Sequence, residues 1–334
     1  MDITHYVQQF NAAVQQLAGG PDRSYLREAV GFKGNPTGET DWLDAIAPAN
    51  RAGRTRKVSD LTNRQTYDAL AEMDQTAENF ILHNFTPNDG VTKLRTPAQP
   101  NKIDVAHWFY PEAKDFLELS DPTSRTMKTL MAGFWLKIDS MIILALLRTA
   151  VQRKSTLNST LHNVTIPASQ VLPDTRYANA DIKLFSAVKK RFSKAYCGNQ
   201  RIYFGMGPEM WEALVNNSGD KLNNKDYVDS ARYFSTGELP AVYGLTPLVH
   251  PIFEDAETLG ALGLISPEDG ELGTVAAWTE NGVTWDEWKG INSGMEGPNL
   301  FMNGQSIATV DVYADCVRTD DLQVVQGAVI GDVD

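Results

Sequence analysis

Histidine, cysteine and paired carboxylates are the residues from which active sites are most often built, and in this chain they are dispersed. His5, His83, His107, His162 and His250 stand far apart with no His-Glu-x-x-His pair, and Cys197 and Cys316 are too few and too distant for a thiolate cage or a disulfide framework. Both cysteines read as buried, reduced thiols. Neither a Gly-x-x-x-x-Gly-Lys phosphate loop nor a Gly-x-Ser-x-Gly nucleophile elbow occurs. Gly205-Met206-Gly207 follows a strand-like run and precedes a helical one, where a dinucleotide-binding turn would carry its glycines. Met210 occupies the third glycine position, so these residues read as a turn at a strand exit. Asp220, Asn223 and Asp226 approach the spacing of a calcium loop but lack its glycine and closing glutamate, and read as polar turn residues. No catalytic residue, cofactor or metal is expected from these patterns.

Composition narrows the classes further. The 334 residues carry 42 acidic and 30 basic side chains, a formal charge of −12, which disfavours a protein whose main work is gripping a phosphate backbone. It suits a wall that must contain nucleic acid without adhering to it. A hydrophobic content of 42% supports a proper core, in two lobes or in one lobe with extensions. The N-terminus lacks a basic start followed by an apolar stretch, so synthesis inside the cell is expected. The Asn-x-Ser/Thr triplets at Asn84, Asn158, Asn163 and Asn216 then read as chance matches. Residues 130–147 are apolar but interrupted by Lys137 and Asp139, which argues against a membrane span.

The elements follow from periodicity. Tyr6, Phe10, Val14 and Leu17 predict an amphipathic helix over 4–17, stopped by Gly19, Gly20 and Pro21. Residues 31–60 read as loop or extended arm, ending in the basic cluster Arg51, Arg54, Arg56 and Lys57. That cluster is either a contact for an acidic neighbour or a solvated loop. Residues 65–80 could form a helix, and 84–102 are rich in turn residues. Asp121 and Pro122 announce a long helix reaching toward Ala150, with Met127, Leu130, Met131, Phe134, Ile138, Met141, Ile142 and Ala145 on its inner face. A second helix over 181–196 turns Ile182, Phe185, Val188 and Phe192 inward and a solvated lysine face outward. Strand 201–206, helix 208–217 and two strands within 232–253 follow, with turns at Gly237, Pro240 and Gly244. Residues 256–303 carry loop signals throughout, and 306–317 and 322–330 read as closing strands joined by an Arg-Thr-Asp-Asp turn. The seven tryptophans, among them Trp211, Trp278, Trp285 and Trp288, read as core or subunit-contact residues.

In this order the chain resembles the major capsid proteins of tailed bacteriophages with the Hong Kong 97-like fold. Three pieces carry the resemblance. Ser120 to Lys154 is similar to the family's spine helix with its Asp-Pro start and an acid at Asp139. The run DIKLFSAVKKRFSK, with RIYFGMGPEMWEALVNN and STGELPAVYGLTPLVHP, resembles the axial domain, and GQSIATVDVYADCVRTDDLQVVQGAVI resembles the closing peripheral strands. The strand exit RIYFGMGPE departs from the family's usual ending, and no cross-linking Lys and Asn pair can be assigned.

The resemblance implies an α+β fold: an N-terminal arm over 1–48, an extended loop over 49–119, a peripheral domain with the spine helix over 120–175, an axial domain with a mixed sheet and flanking helices over 176–303, and C-terminal strands over 304–334 returning to the peripheral domain. It implies a non-enzymatic subunit that assembles with copies of itself through hexamers and pentamers into an icosahedral shell. The implied partners are a scaffolding protein, a portal, a decoration protein and packaged double-stranded DNA, with no membrane, and the implied location is a virion capsid assembled in the host cytoplasm. Three rivals stand beside it: an encapsulin-like compartment shell, a soluble α/β enzyme using the Gly205 turn for a ligand, and a minor virion or tail component of different fold.

Overall fold

The computed structural model describes residues 3–19, 26–34, 36, 38–46, 93–110, 112–154, 162–172, 182–195, 197–214, 243–261, 271–299 and 304–330. In chain order the elements are α1 (Ile3–Ala18), β1 (Gly31–Gly34), β2 (Asp41–Ile46), β3 (Lys93–Ala98), β4 (Asn101–Phe109), α2 (Ala113–Ser120), α3 (Arg125–Leu147), β5 (Ala150–Lys154), β6 (His162–Val164), α4 (Ile182–Lys194), β7 (Ile202–Met206), β8 (Leu245–Val249), α5 (Ala256–Ala261), β9 (Glu271–Thr279), β10 (Val283–Asn299), β11 (Gln305–Arg318) and β12 (Val324–Ile330). Internal packing separates two units. One comprises Met1–Asp41, Ala98–Ile143 and Thr284–Cys316, the other Trp42–Pro97, Leu144–Val283 and Val317–Asp334.

The first unit is built on a sheet of order β1-β10-β11-β4, with β1 parallel to β10 and β4 antiparallel to β11. In α3, Met127, Leu130, Met131, Phe134, Ile138 and Ile142 are all buried, as their three- and four-residue spacing predicts, and Met141 is half-buried. The helix begins at Arg125 rather than Pro122. Asp121 accepts hydrogen bonds from the Thr123 N–H (2.8 Å) and hydroxyl (2.7 Å), making a local turn, and the Ser124 hydroxyl accepts from the Met127 N–H at 3.1 Å as the working N-cap. By length and composition α3 could cross a membrane, but Asp139 is buried midway and more than half of the apolar window lies inside the protein, as in a core helix. Helix α1 buries Phe10 and Val14 and stacks Tyr6 on Phe116 of α2, ring centroids 5.3 Å apart. It is tied to β10 by Gln15 Nε2 donating to the Ile291 carbonyl (3.1 Å) and Ser293 Oγ to Asn11 Oδ1 (2.7 Å).

The second unit holds a sheet of order β12-β9-β7-β8 and a smaller one of order β2-β3-β5-β6. Strand β7 runs parallel to β8 and antiparallel to β9. A parallel neighbour requires a crossover, and helical residues 208–214 lie within it. All five residues of β7 are buried, and α4 covers the sheet with Leu184, Phe185, Val188 and Phe192, Phe185 meeting Phe204 at 5.0 Å. Burying each such side chain contributes about 1.5–3 kcal/mol.

The C-terminal end of α3 is closed by a distant residue. Buried Arg318, at the end of β11, donates from Nη1 to the carbonyls of Arg148 (2.5 Å) and Leu146 (3.5 Å) and from Nε to Asp321 Oδ1 (2.6 Å). This satisfies carbonyls that the end of a helix leaves without partners and places positive charge at the negative end of its dipole.

Several expectations are corrected. Within 256–303, where loop signals ran throughout, the described residues include α5, β9 and the 17-residue β10. Their glycines are tolerated because ladder pairing supplies what local propensity lacks. Within 31–46 the stretch read as loop or extended arm contains β1 and β2, and β3 and β4 replace the turn-rich reading of 93–102. Ala150 belongs to β5, not to the long helix. The closing strands belong to different sheets, since β11 pairs with β4 and β12 with β9. Cys197 and Cys316 are buried thiols outside any disulfide, as expected. The helix expected over 65–80 lies outside the described residues.

Candidate functional site

The sequence feature closest to a ligand turn is Gly205-Met206-Gly207, and its geometry is filled by the protein itself. A Cβ on Gly205 would sit 2.5 Å from the Phe253 ring and 3.0 Å from Trp278, so this glycine is required by close packing. A Cβ on Gly207 would sit 2.0 Å from the Glu254 carboxyl carbon. Glu254 accepts a hydrogen bond from the Met210 N–H at 2.8 Å. Its carboxylate therefore occupies the seat at the helix start where a phosphate would bind in a dinucleotide fold. Burial raises the Glu254 carboxyl above its ordinary range, opposed by hydrogen bonds from the Met210 and Glu209 N–H groups. His250, buried at the end of β8, accepts at Nδ1 from the Ile252 N–H (3.3 Å). Among the described residues no group of three or more His, Cys, Asp or Glu side chains could hold a metal ion. Asp220, Asn223 and Asp226 lie outside the described residues.

The described surface also carries large exposed apolar side chains. In the first unit Phe32, Trp108, Tyr110, Leu117 and Leu136 are large, apolar and exposed. Strand β4 is a sheet edge, guarded by charge as free edges commonly are. Lys137 of α3 donates to the Asp104 carbonyl, and Lys102 pairs with the Asp104 carboxylate at 3.1 Å. That hydrogen bond raises the Lys102 ammonium above its ordinary value. Phe32, on edge strand β1, lies under the Arg27 guanidinium, 5.8 Å from the ring centroid. Arg27 also covers Trp285 at 5.7 Å and pairs with Glu287. Among the described residues of the second unit Tyr243 is an exposed aromatic, held at a φ of 53° beside Gly244 at 77°. Both residues lie in the turn immediately before β8, where a glycine adopts the left-handed conformation at little cost. Gly237, Pro240, Arg51, Arg54, Arg56 and Lys57 lie outside the described residues.

By sequence, no family model and no curated protein matches the chain. By structure it is similar to the head protein of Helicobacter pylori bacteriophage KHP40, with a TM-score of 0.57 over 93% of each chain at 9% identity. It is similar to the Cyanophage Pam1 capsid, with a TM-score of 0.55 over 94% of this chain and 93% of that one at 12% identity. The chain has the Hong Kong 97-type capsid fold. The same fold relates it to the SrpI encapsulin of Synechococcus elongatus, with a TM-score of 0.50 over 97% of this chain and 96% of that one at 9% identity. The α+β expectation and the resemblance read from the sequence are met at the level of fold. A Hong Kong 97-type fold at such low identity fixes the path of the backbone and leaves the contact residues particular to this chain.

Proposed function

We propose that this chain is the major capsid subunit of a tailed bacteriophage, assembling through hexamers and pentamers into an icosahedral shell around double-stranded DNA. The observation that carries this reading is the extent of the likeness: it takes in nearly all of this chain and nearly all of the phage capsid chains together, rather than a shared module. The protein's own carboxylate in the anion seat beside Gly207 supports a structural role over a ligand-binding one. In this reading α3 and β11 belong to the peripheral domain, and α4 with β7, β8 and β9 to the axial domain. The segment from residue 49 is the extended loop, where Arg51, Arg54, Arg56 and Lys57 contact an acidic neighbouring subunit. Scaffolding protein, portal and decoration protein are the partners this role calls for, and the host cytoplasm is the place of assembly.

The SrpI likeness favours one second reading, a cellular compartment that holds cargo protein. Negative-stain microscopy and sedimentation of the purified protein, alone and with a scaffolding candidate, test the shell reading, with closed particles or capsomers expected. A monomer or dimer under all conditions would overturn it. Particle contents then separate the alternatives, since nuclease-protected DNA fits a capsid and an enclosed enzyme fits a compartment.

A further inference from the structure

Asp286 lies on β10 with a relative exposure of 0%, and neither carboxylate oxygen has a hydrogen-bond partner of ordinary geometry among the described residues. Taking an ionised carboxylate out of water without partners is costly enough that the group holds a proton instead. The neighbours show where that proton goes. In the parallel ladder Lys33 of β1 stands directly opposite Asp286, and Lys33 forms an ion pair with Asp41, the residue at which the chain leaves the first unit. Asp41 and Asp286 meet side chain to side chain. Two carboxyls in contact repel when both are ionised and hydrogen-bond when they share one proton.

We infer that Asp41 and Asp286 share a proton and, with Lys33, form a latch that fastens the departing chain at Asp41 to strand β10, loosening when the proton is lost. Other charges around this position are engaged elsewhere. Glu287 is taken by Arg27 and by Trp285 Nε1 at 3.1 Å. On β11, Asp311 accepts from Asn292 at 3.4 Å and Asp315 from the N–H groups of Gln99 (3.0 Å) and Cys316 (2.9 Å). Glu39 and Lys289 are exposed to solvent.

Burial, and after it the proximity of Asp41, hold the Asp286 carboxyl up at about 7, while Lys33 pulls the other way. The latched chain thus binds the proton more tightly than the released chain, whose carboxyl returns toward the ordinary value of 3.8. The stabilisation is complete below that ordinary value and declines as pH rises, until it is lost above about 7.

Hydrogen exchange of residues 31–41 in the purified protein, corrected for intrinsic rates, tests this without requiring shells to form. Between about pH 5.5 and about pH 8.5 the wild-type protection is expected to fall on the order of tenfold. Asp286→Asn carries a neutral amide that can donate to Asp41, and should keep its protection at both pH values. If Asp286→Asn does not fold, Asp41→Asn serves the same comparison. Wild-type protection that does not change with pH, or a variant that changes as much as wild type, overturns the latch.

Discussion

Replacing Arg318 with alanine should unfold the second unit more readily than any surface substitution, and the size of the effect can be worked from its contacts. The side chains of Arg318 and Asp321 are 1% and 2% exposed, so their 2.6 Å ion pair is shielded from water. Truncation takes the charged partner from the buried Asp321 carboxylate and strips the carbonyls of Leu146 and Arg148 of their charged donor. Breaking a buried pair from one side costs about 3–5 kcal/mol, a large fraction of the ~5–15 kcal/mol that holds a typical domain together. Urea unfolding of the unassembled subunit should show the midpoint falling with little change in slope. Arg318→Lys, which keeps the charge but loses the fork, should fall between the two. Removing both partners with Arg318→Ala and Asp321→Ala should cost less than the sum of the single changes, because no lone charge remains. An Arg318→Ala midpoint indistinguishable from wild type, or strictly additive single changes, would refute the account of how α3 is closed.

Gly207→Ala places a methyl group where the Glu254 carboxyl now sits and should lower thermal stability by about 1–3 kcal/mol; an unchanged melting temperature would show that the carboxylate does not need that seat. Tyr243→Asn should relieve a left-handed backbone at φ 53° and stabilise the isolated subunit by up to about 1 kcal/mol, while particle yield falls because an exposed aromatic contact is lost. If yield is unaffected, the turn is not a contact. Arg51→Glu with Arg54→Glu should leave circular dichroism and melting of the subunit unchanged while particle yield drops, and a normal yield would count against the basic cluster as a neighbour contact.

Elements with strong internal periodicity were legible in the sequence. The faces of α1, α3 and α4 follow from the spacing of Phe10 and Val14, of Met127 through Ile142, and of Phe185, Val188 and Phe192. Strands β7 and β11 show as apolar, β-branched and aromatic runs. Strands β9 and β10 did not show, because the glycines at Gly290 and Gly294 and the polar residues around them mimic loop composition, and it is cross-strand pairing that extends them. Asp-Pro is a sound helix opening in isolation, yet α3 starts only at Arg125 because Asp121 is drawn into a turn with Thr123. The wider contacts leave no local trace. Nothing near Gly207 announces Glu254, nothing near Asp41 announces Asp286, and Arg318 reads as part of a charged turn until the end of α3 is seen beside it.

Whether this subunit builds a closed shell can be seen in a cryo-electron microscopy reconstruction of the particles formed by the purified protein with a scaffolding candidate. Icosahedral shells are expected, in which every position of each hexamer and pentamer is filled by this fold. Helix α3 should appear as a long rod in every subunit. Particles without icosahedral symmetry, or a uniform small oligomer with no shell, would contradict the capsid role.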